Sequence, residues 1–291
     1  MRLPNTSTVV LFPGQGVSLV GARGFVQSSC AELYGRCCEL LGADPFERCA
    51  ESTRFAQPAV FLASVAGWRT LAVDAPLALA GHSLGELAAL AAAEALTFED
   101  ALSLAIVRGE LMAEAAEGHR GGMVAVLKGT AAQASVLAHS HGLVIANDNA
   151  PGQLILSGPL AALEAASEEA RAGHGLRTMR LDVKGAFHSP AMELARGPFL
   201  AAVRRVSIVA PRIPVFSGLT AAPFLDIQTE LAEALVRPVR WRETMAALDA
   251  LGAERYVDVG PDRVLARLAA RNLSSVEVAV EAVEDLRAVR A

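Results

Sequence analysis

Residues 81–85 read Gly81-His82-Ser83-Leu84-Gly85, a G-x-S-x-G pattern. That spacing suits a serine nucleophile when a strand precedes it and a helix follows. Both conditions are met in the sequence. Leu77-Ala78-Leu79-Ala80 is short, uncharged and apolar, and an alanine-rich stretch runs on to about Leu96. The turn between them must be sharp, which explains glycines where side chains would crowd the serine. A serine so placed sits at a helix N-terminus, whose free N–H groups suit a developing oxyanion. The competing interpretation is a glycine-rich turn with an incidental serine, and the strand-turn-helix context favours the nucleophile.

A serine nucleophile needs a base. The six histidines are His82, His119, His139, His141, His174 and His188. His82 adjoins the serine, so its ring should point away and serve the structure. His119, His139, His141 and His174 lie in polar, helix-end or loop settings and read as surface residues. His188, in Gly185-Ala186-Phe187-His188-Ser189-Pro190, follows an extended segment. Serine before histidine fits a hydrolase-like chain order, but spacing alone makes His188 only one candidate. Arg108 follows the apolar run Leu104-Ala105-Ile106-Val107, which places it near a core edge. An arginine on a helix is usually solvated, whereas a buried one requires an anion.

These residues need elements to position them. Thr8-Val9-Val10-Leu11-Phe12 is a β-branched and apolar run that stops at Pro13-Gly14-Gln15-Gly16, a strand-to-loop signal. Helical patterning covers Gly24 to Leu41, and a second helix is expected from Gln57 to Leu71 with Pro58 in its first turn. The run 77–80 suits a buried parallel strand. A helix should start at Thr97, with Asp100 completing an N-terminal cap, and end near Gly118. From Gly121 the texture changes. Strands are expected at Met123–Leu127, Leu143–Ala146, Leu154–Leu156 and Leu176–Val183, and helices over 130–139 and 159–172. That βαββαβ order is the ferredoxin-like pattern. Further strands are expected at Pro214–Ser217 and Tyr256–Gly260. The fold class is therefore α/β: a hydrolase-like core with a parallel sheet over residues 1–121 and 186–291, and an inserted small ferredoxin-like subdomain over 122–185.

Composition narrows the function classes. The 291 residues are 53% hydrophobic and 20% charged, which allows a large core and excludes a disordered chain. The net charge of −5 gives no general basic field for nucleic acid. No stretch of about 18 apolar residues is free of charge, so no membrane span is expected. No secretory signal is read at the N-terminus, and a cytoplasmic location is expected. Cys30, Cys37, Cys38 and Cys49 show no CxxC pairing, so they read as small buried hydrophobes, with no metal site.

In this setting the chain resembles the malonyl-CoA:acyl carrier protein transacylases and the acyltransferase domains of polyketide synthases. The resemblance runs through Phe12-Pro13-Gly14-Gln15-Gly16, Gln57-Pro58-Ala59, Gly81-His82-Ser83-Leu84-Gly85-Glu86, and Arg108-Gly109 with Leu111-Met112. It continues through Asn149-Ala150-Pro151-Gly152-Gln153, Gly185-Ala186-Phe187-His188-Ser189, Arg237-Pro238-Val239-Arg240-Trp241 and Asp258-Val259-Gly260-Pro261. Each segment is weak alone, but eight in order are specific. The chain departs from the family at Val17-Ser18-Leu19-Val20, where a second glutamine is usual, and around Gly21-Ala22-Arg23-Gly24.

The resemblance implies that Ser83 is acylated and that His188 deprotonates it. It implies that the N–H groups of Gln15 and Leu84 form the oxyanion hole, and that Arg108 holds the malonyl carboxylate. A backbone carbonyl near Arg240 would orient the histidine, since no triad aspartate appears. Phe187 would border the acyl group and favour malonyl over methylmalonyl, unless it is only a core phenylalanine. The function so implied is transfer of malonyl from malonyl-CoA to the phosphopantetheine thiol of an acyl carrier protein, in polyketide or fatty acid biosynthesis. No cofactor, nucleic acid or membrane partner is expected. The alternatives are a thioester hydrolase clearing acyl carrier proteins and a silent carrier-docking module. An acidic carrier would meet Arg204, Arg205, Arg212, Arg237, Arg242, Arg263, Arg267 and Arg271.

Overall fold

A computed structural model describes residues 7–273, except 72, 74, 119, 174 and 175, together with 279–282. In chain order the elements begin with β1 (Thr8–Phe12), α1 (Ala22–Ser29), α2 (Ala31–Leu41), α3 (Pro45–Arg48) and α4 (Thr53–Thr70). Next come β2 (Ala78–Gly81), α5 (Gly85–Ala92), α6 (Phe98–Glu117), β3 (Gly121–Leu127) and α7 (Ala131–Ser140). Then follow β4 (Val144–Ala150), β5 (Gln153–Pro159), α8 (Leu160–Gly173), β6 (Arg177–Arg180) and α9 (Glu193–Val203). The chain closes with β7 (Val215–Ser217), β8 (Ala222–Pro223), α10 (Ile227–Glu233), α11 (Trp241–Asp249), β9 (Arg255–Asp258), α12 (Val264–Asn272) and β10 (Ala279–Ala282).

Six strands form one sheet in the order β10-β9-β1-β2-β7-β8, parallel except for the edge strand β8. β1 and β2 are buried along their whole length, as the uninterrupted apolar runs require of strands covered on both faces. β1 lies between β2 and β9, and Phe12 is the register partner of Gly81. The loops leaving β1 and β2 therefore emerge side by side at the carboxyl edge of the sheet, where open α/β sheets bind ligands.

The remaining four strands form an antiparallel sheet, β4-β5-β3-β6, with α7 and α8 packed over an apolar cluster that includes Val124, Leu137, Leu154 and Leu163. This sheet is stitched to the rest of the chain through β4. Asp148 N–H donates to the Val239 carbonyl, and Val239 N–H donates to the Ala146 carbonyl.

Helix boundaries differ from expectation at three places, one being α5, which ends at Ala92 and not near Leu96. The patterning over 24–41 resolves into α1 and α2, broken at Cys30, which adopts φ −150°, ψ 52°. α4 begins at Thr53 rather than Gln57, so Pro58 lies inside the helix and not in its first turn. The extra turn holds because Ser52 caps it, Phe55 and Ala56 N–H bond the Ser52 carbonyl, and Gly109 of α6 packs directly on Thr53. The Thr97 cap is as expected: its side chain accepts from Asp100 N–H.

Candidate active site

Two tight loops form the floor of the site. A Cβ on Gly14 would lie 2.4 Å from the His82 carbonyl, so the 13–16 and 82–84 turns are in backbone contact. A Cβ on Gly81 would lie 2.1 Å from Glu86 N, and one on Gly85 would lie 2.0 Å from the Phe12 carbonyl oxygen. The two flanking glycines of the pattern are therefore steric requirements. Between them Ser83 adopts φ +56°, a left-handed conformation that side chains rarely take. The packed backbone on either side holds that strain. Leu84 caps α5 at its N-terminus, and Gln15 occupies the turn after β1.

The Ser83 Oγ is 2.8 Å from His188 Nε2, 105 residues further along the chain. His188 is also left-handed, at φ +54°. Its Nδ1 is 2.7 Å from the Ala234 carbonyl. A carbonyl only accepts, so Nδ1 carries the proton, Nε2 accepts, and the serine hydroxyl donates to it. Both ring nitrogens are thereby occupied, leaving no place for a triad carboxylate. Burial, with Arg108 nearby, pushes His188 down to about 3, so the ring is neutral at physiological pH and Nε2 keeps a free lone pair.

The expected orienting carbonyl near Arg240 is corrected by this geometry. The Arg240 carbonyl accepts from Thr244 N at 2.9 Å and from Thr244 Oγ1 at 3.0 Å, as the start of α11 requires. Ala234 instead caps the C-terminus of α10, where carbonyls lack an intrahelical N–H and are free to take a donor from elsewhere.

Arg108, on α6, is only 4% exposed. Its Nη2 donates to Ser83 Oγ at 3.0 Å and its Nη1 to Gln57 Oε1 at 2.9 Å, while Gln57 Nε2 donates to Met112 Sδ at 3.2 Å. No carboxylate among the described residues forms an ion pair with it. Burial lowers Arg108 to about 10, which still leaves it charged at neutral pH. A buried, charged guanidinium beside the nucleophile is chemically suited to receive an anion. Glu86 lies nearby, raised to about 8 by its own burial, and accepts from Gly218 N–H at 2.7 Å.

A cavity of about 300 Å³ opens over Ser83, His188 and Arg108. Met112, Met123, Ile155 and Phe187 line it, together with Asn147 and Asn149 from β4. The site thus draws on both sheets. Phe187 is buried in its wall. His82 turns away from the serine as expected, to Asn149 Oδ1 at 2.9 Å and edge-on to Trp241. His139 is exposed and His141 pairs with Glu169, while His119 and His174 lie outside the described residues.

Three groups were not identified from sequence as parts of the site: Ala234, Gln57 and Asn147. An alanine carbonyl has no side-chain signature. Gln57 and Asn147 are uncharged and lie far from the nucleophile in sequence.

Cys30 and Cys37 are buried and free, and burial pushes their thiols up to about 11 and about 12. Several of the C-terminal arginines have partners. Arg212 pairs with Glu94, Arg242 with Asp148, and Arg271 binds Gln153 and the Pro151 carbonyl. Arg204, Arg205 and Arg237 are exposed. No described helix is long and apolar enough to cross a membrane.

Comparison with known proteins agrees with this geometry. The acyl transferase domain family matches residues 39–288. The chain is 34% identical over 283 residues to the malonyl CoA-acyl carrier protein transacylase of Bacillus subtilis, covering 89% of this chain and 88% of that protein. It is 36% identical over 273 residues to the polyketide biosynthesis protein ThaF of Burkholderia thailandensis, but spans only 23% of it. The crystal structure of the acyl-carrier-protein-S-malonyltransferase from Bartonella henselae superposes with a TM-score of 0.88 at 28% identity, over 98% of both chains. With the serine, histidine and arginine gathered in one cavity and relatives matching along nearly its whole length, the chain belongs to the acyl transferase domain family.

Proposed function

We propose that this protein transfers malonyl from malonyl-CoA to the phosphopantetheine thiol of an acyl carrier protein, in polyketide or fatty acid biosynthesis. The observation that carries the reading is the buried Arg108 guanidinium, bonded to the nucleophile and without a carboxylate partner among the described residues. A thioester hydrolase for neutral acyl groups has no use for a cation there.

In the first half-reaction Ser83 Oγ attacks the thioester carbonyl and its proton passes to His188 Nε2. The carbonyl oxygen becomes an oxyanion, held by the Gln15 and Leu84 N–H groups. As the intermediate collapses, the carbon–sulfur bond breaks and the coenzyme A sulfur leaves with the proton from His188. In the second half-reaction His188 takes the carrier thiol's proton, the sulfur attacks the acyl-serine ester, the bond from the acyl carbon to Ser83 Oγ breaks, and the proton returns to Oγ. The Ala234 carbonyl keeps the imidazole in the required tautomer throughout. Arg108 receives the malonyl carboxylate as a charge-assisted pair, and Phe187 narrows the wall beside the acyl α-carbon.

We read residues 122–185 as a ferredoxin-like insert in a hydrolase-like core of residues 1–121 and 186–291. Support comes from the strand order β4-β5-β3-β6 and from the close approach of Gly121 to Ala186 at the two junctions. Arg204, Arg205 and Arg237 are exposed arginines suited to meet an acidic carrier. Four unpaired cysteines fit the reducing cytoplasm.

The test is intact-mass analysis after incubation with malonyl-CoA alone. The wild type should gain one malonyl group and lose it on addition of carrier protein, and Ser83→Ala should gain none. A modified Ser83→Ala protein, or a wild type that stays unmodified, would overturn the reading.

A further inference from the structure

The loop after β1 carries Gln15, whose N–H is one of the two oxyanion donors in the mechanism above. Two of its residues, Gly16 and Gly21, are glycines at φ +101° and +76°, with open space where a Cβ would sit. Glycine restrains the backbone least of all residues. Ser18 and Val20 are exposed, and the family's usual second glutamine is absent here. The loop's own residues therefore leave its course underdetermined. One end is fixed where Gly14 packs on the His82 carbonyl. The other end meets the turn between β9 and α12. There Ser18 N–H donates to Asp262 Oδ2 at 2.7 Å, and Val264 N–H donates to Asp262 Oδ1 at 3.2 Å. One carboxylate thus spans the loop and the start of α12. The turn beneath it is firmly built. Asp258, 1% exposed, accepts from Gly260 N–H at 2.8 Å and from Ala266 N–H at 3.0 Å. A Cβ on Gly260 would lie 2.7 Å from Pro13 Cγ, and one on Gly67 of α4 would lie 2.1 Å from the Val259 carbonyl oxygen. Arg263, next to Asp262, is held left-handed at φ +62°, as Ser83 and His188 are. Such a conformation persists where the surrounding structure over-determines it.

We infer that Asp262 is a positioning residue for acyl transfer: its carboxylate fixes the loop that aims the Gln15 N–H at the developing oxyanion. This rests on the reading of the site as an acyl-serine transferase with Gln15 as a donor. Asp262 does not line the catalytic cavity, so it acts through the loop. A carboxylate suits the task, because a hydrogen bond from a backbone N–H to a charged acceptor is roughly twice as strong as a neutral one. It has two oxygens and uses one on each N–H. Ser18 contributes only its backbone to the contact, so the side chain at that position is immaterial to it. Oxyanion donors work by being aimed before charge develops. A loop free to shift at Ser18 leaves Gln15, three residues away, poorly aimed at that moment.

The test follows Ser83 acylation by rapid quench and intact mass over a range of malonyl-CoA concentrations. Asp262→Ser keeps an oxygen that can accept from the N–H two residues on, and lacks the second oxygen that Ser18 N–H uses. It should lower the limiting rate constant by about three- to tenfold, less than the roughly hundredfold or more expected for outright loss of an oxyanion donor. The half-saturating concentration should stay within about twofold, because the oxyanion exists only in the transition state. Ser18→Ala keeps the N–H and should match the wild type. Ser18→Pro removes the N–H at an exposed position and should slow the limiting rate as Asp262→Ser does, so the test stands even if one of the two fails to fold. An unchanged limiting rate in either variant overturns the inference. So does a raised half-saturating concentration with the rate constant intact, or a loss in Ser18→Ala as large as in Asp262→Ser. A wild type that forms no adduct is a separate failure, which removes the functional reading and this inference together.

Discussion

The Ser83 turn and the His188 turn share a left-handed backbone and a hydrogen bond, yet they are held in opposite ways. The Ser83 turn is fixed locally. Gly81 and Gly85 leave no space for a methyl group, and the end of β1 presses against them. The Ser189 hydroxyl closes the His188 turn onto the Ala186 carbonyl, but the ring is held remotely, by a carbonyl 46 residues away at the end of α10. One reactive group is specified by steric exclusion at two glycines, against residues 85–86 and the end of β1, the other by a long-range acceptor that any residue type could provide. The difference predicts where each turn can be broken by a side-chain change and where it cannot.

The largest effect should come from Gly85→Ala. The new methyl would lie 2.0 Å from the Phe12 carbonyl oxygen and 2.9 Å from the Pro13 carbonyl oxygen, both backbone atoms. Strand β1 and the Gln15 turn would have to move. Urea denaturation should show a loss on the order of 3 kcal/mol or more, and malonyl adduct formation should be abolished. A stable, active Gly85→Ala protein would show that the turn tolerates what its geometry forbids.

Next, His188→Ala should slow Ser83 acylation by about 10²–10⁴-fold, the usual contribution of a general base, with the fold intact by circular dichroism. In the wild type the rate should be flat from about pH 7 down to about pH 5, because burial holds the histidine near 3 rather than 6.5. The sign for stability follows from the same shift. The unfolded chain binds the proton between pH 6.5 and 3 and the folded one does not, so stability falls as pH drops through that window. A rate that halves near pH 6.5 would mean a solvated histidine and a looser remote hold.

Arg108→Ala should reduce malonyl acylation by roughly tenfold to a hundredfold, from the loss of about 1.5–3 kcal/mol of charged hydrogen bonding. Acetyl acylation should fall less. Equal losses for both acyl groups would make the arginine a support for Ser83 rather than a receptor. The smallest effect should come from Ala234→Gly. The substitution leaves the carbonyl in place, so it should cost about 1 kcal/mol in thermal stability while the acylation rate changes little. A large loss of rate there would show that the methyl group, and not the carbonyl, secures the histidine.

Much of this was legible in the sequence because it is written in short-range constraints. The glycines at 81 and 85 announced the turn, the uninterrupted apolar runs of β1 and β2 announced buried parallel strands, and Thr97 with Asp100 announced the start of α6. Pro58 misled, because the capping that carries α4 through it comes from Ser52 and from packing against Gly109. The resemblance named His188 and Arg108, but their roles need distances that no pattern contains. That Arg108 has no carboxylate partner among the described residues, and that Ala234 rather than Arg240 faces the histidine, were decided only by tertiary structure. Backbone carbonyls are chemically alike at every position, so which one meets a given ring depends on where helices stop and how two sheets meet. Side-chain type and spacing can select a nucleophile, but they cannot select among identical acceptors.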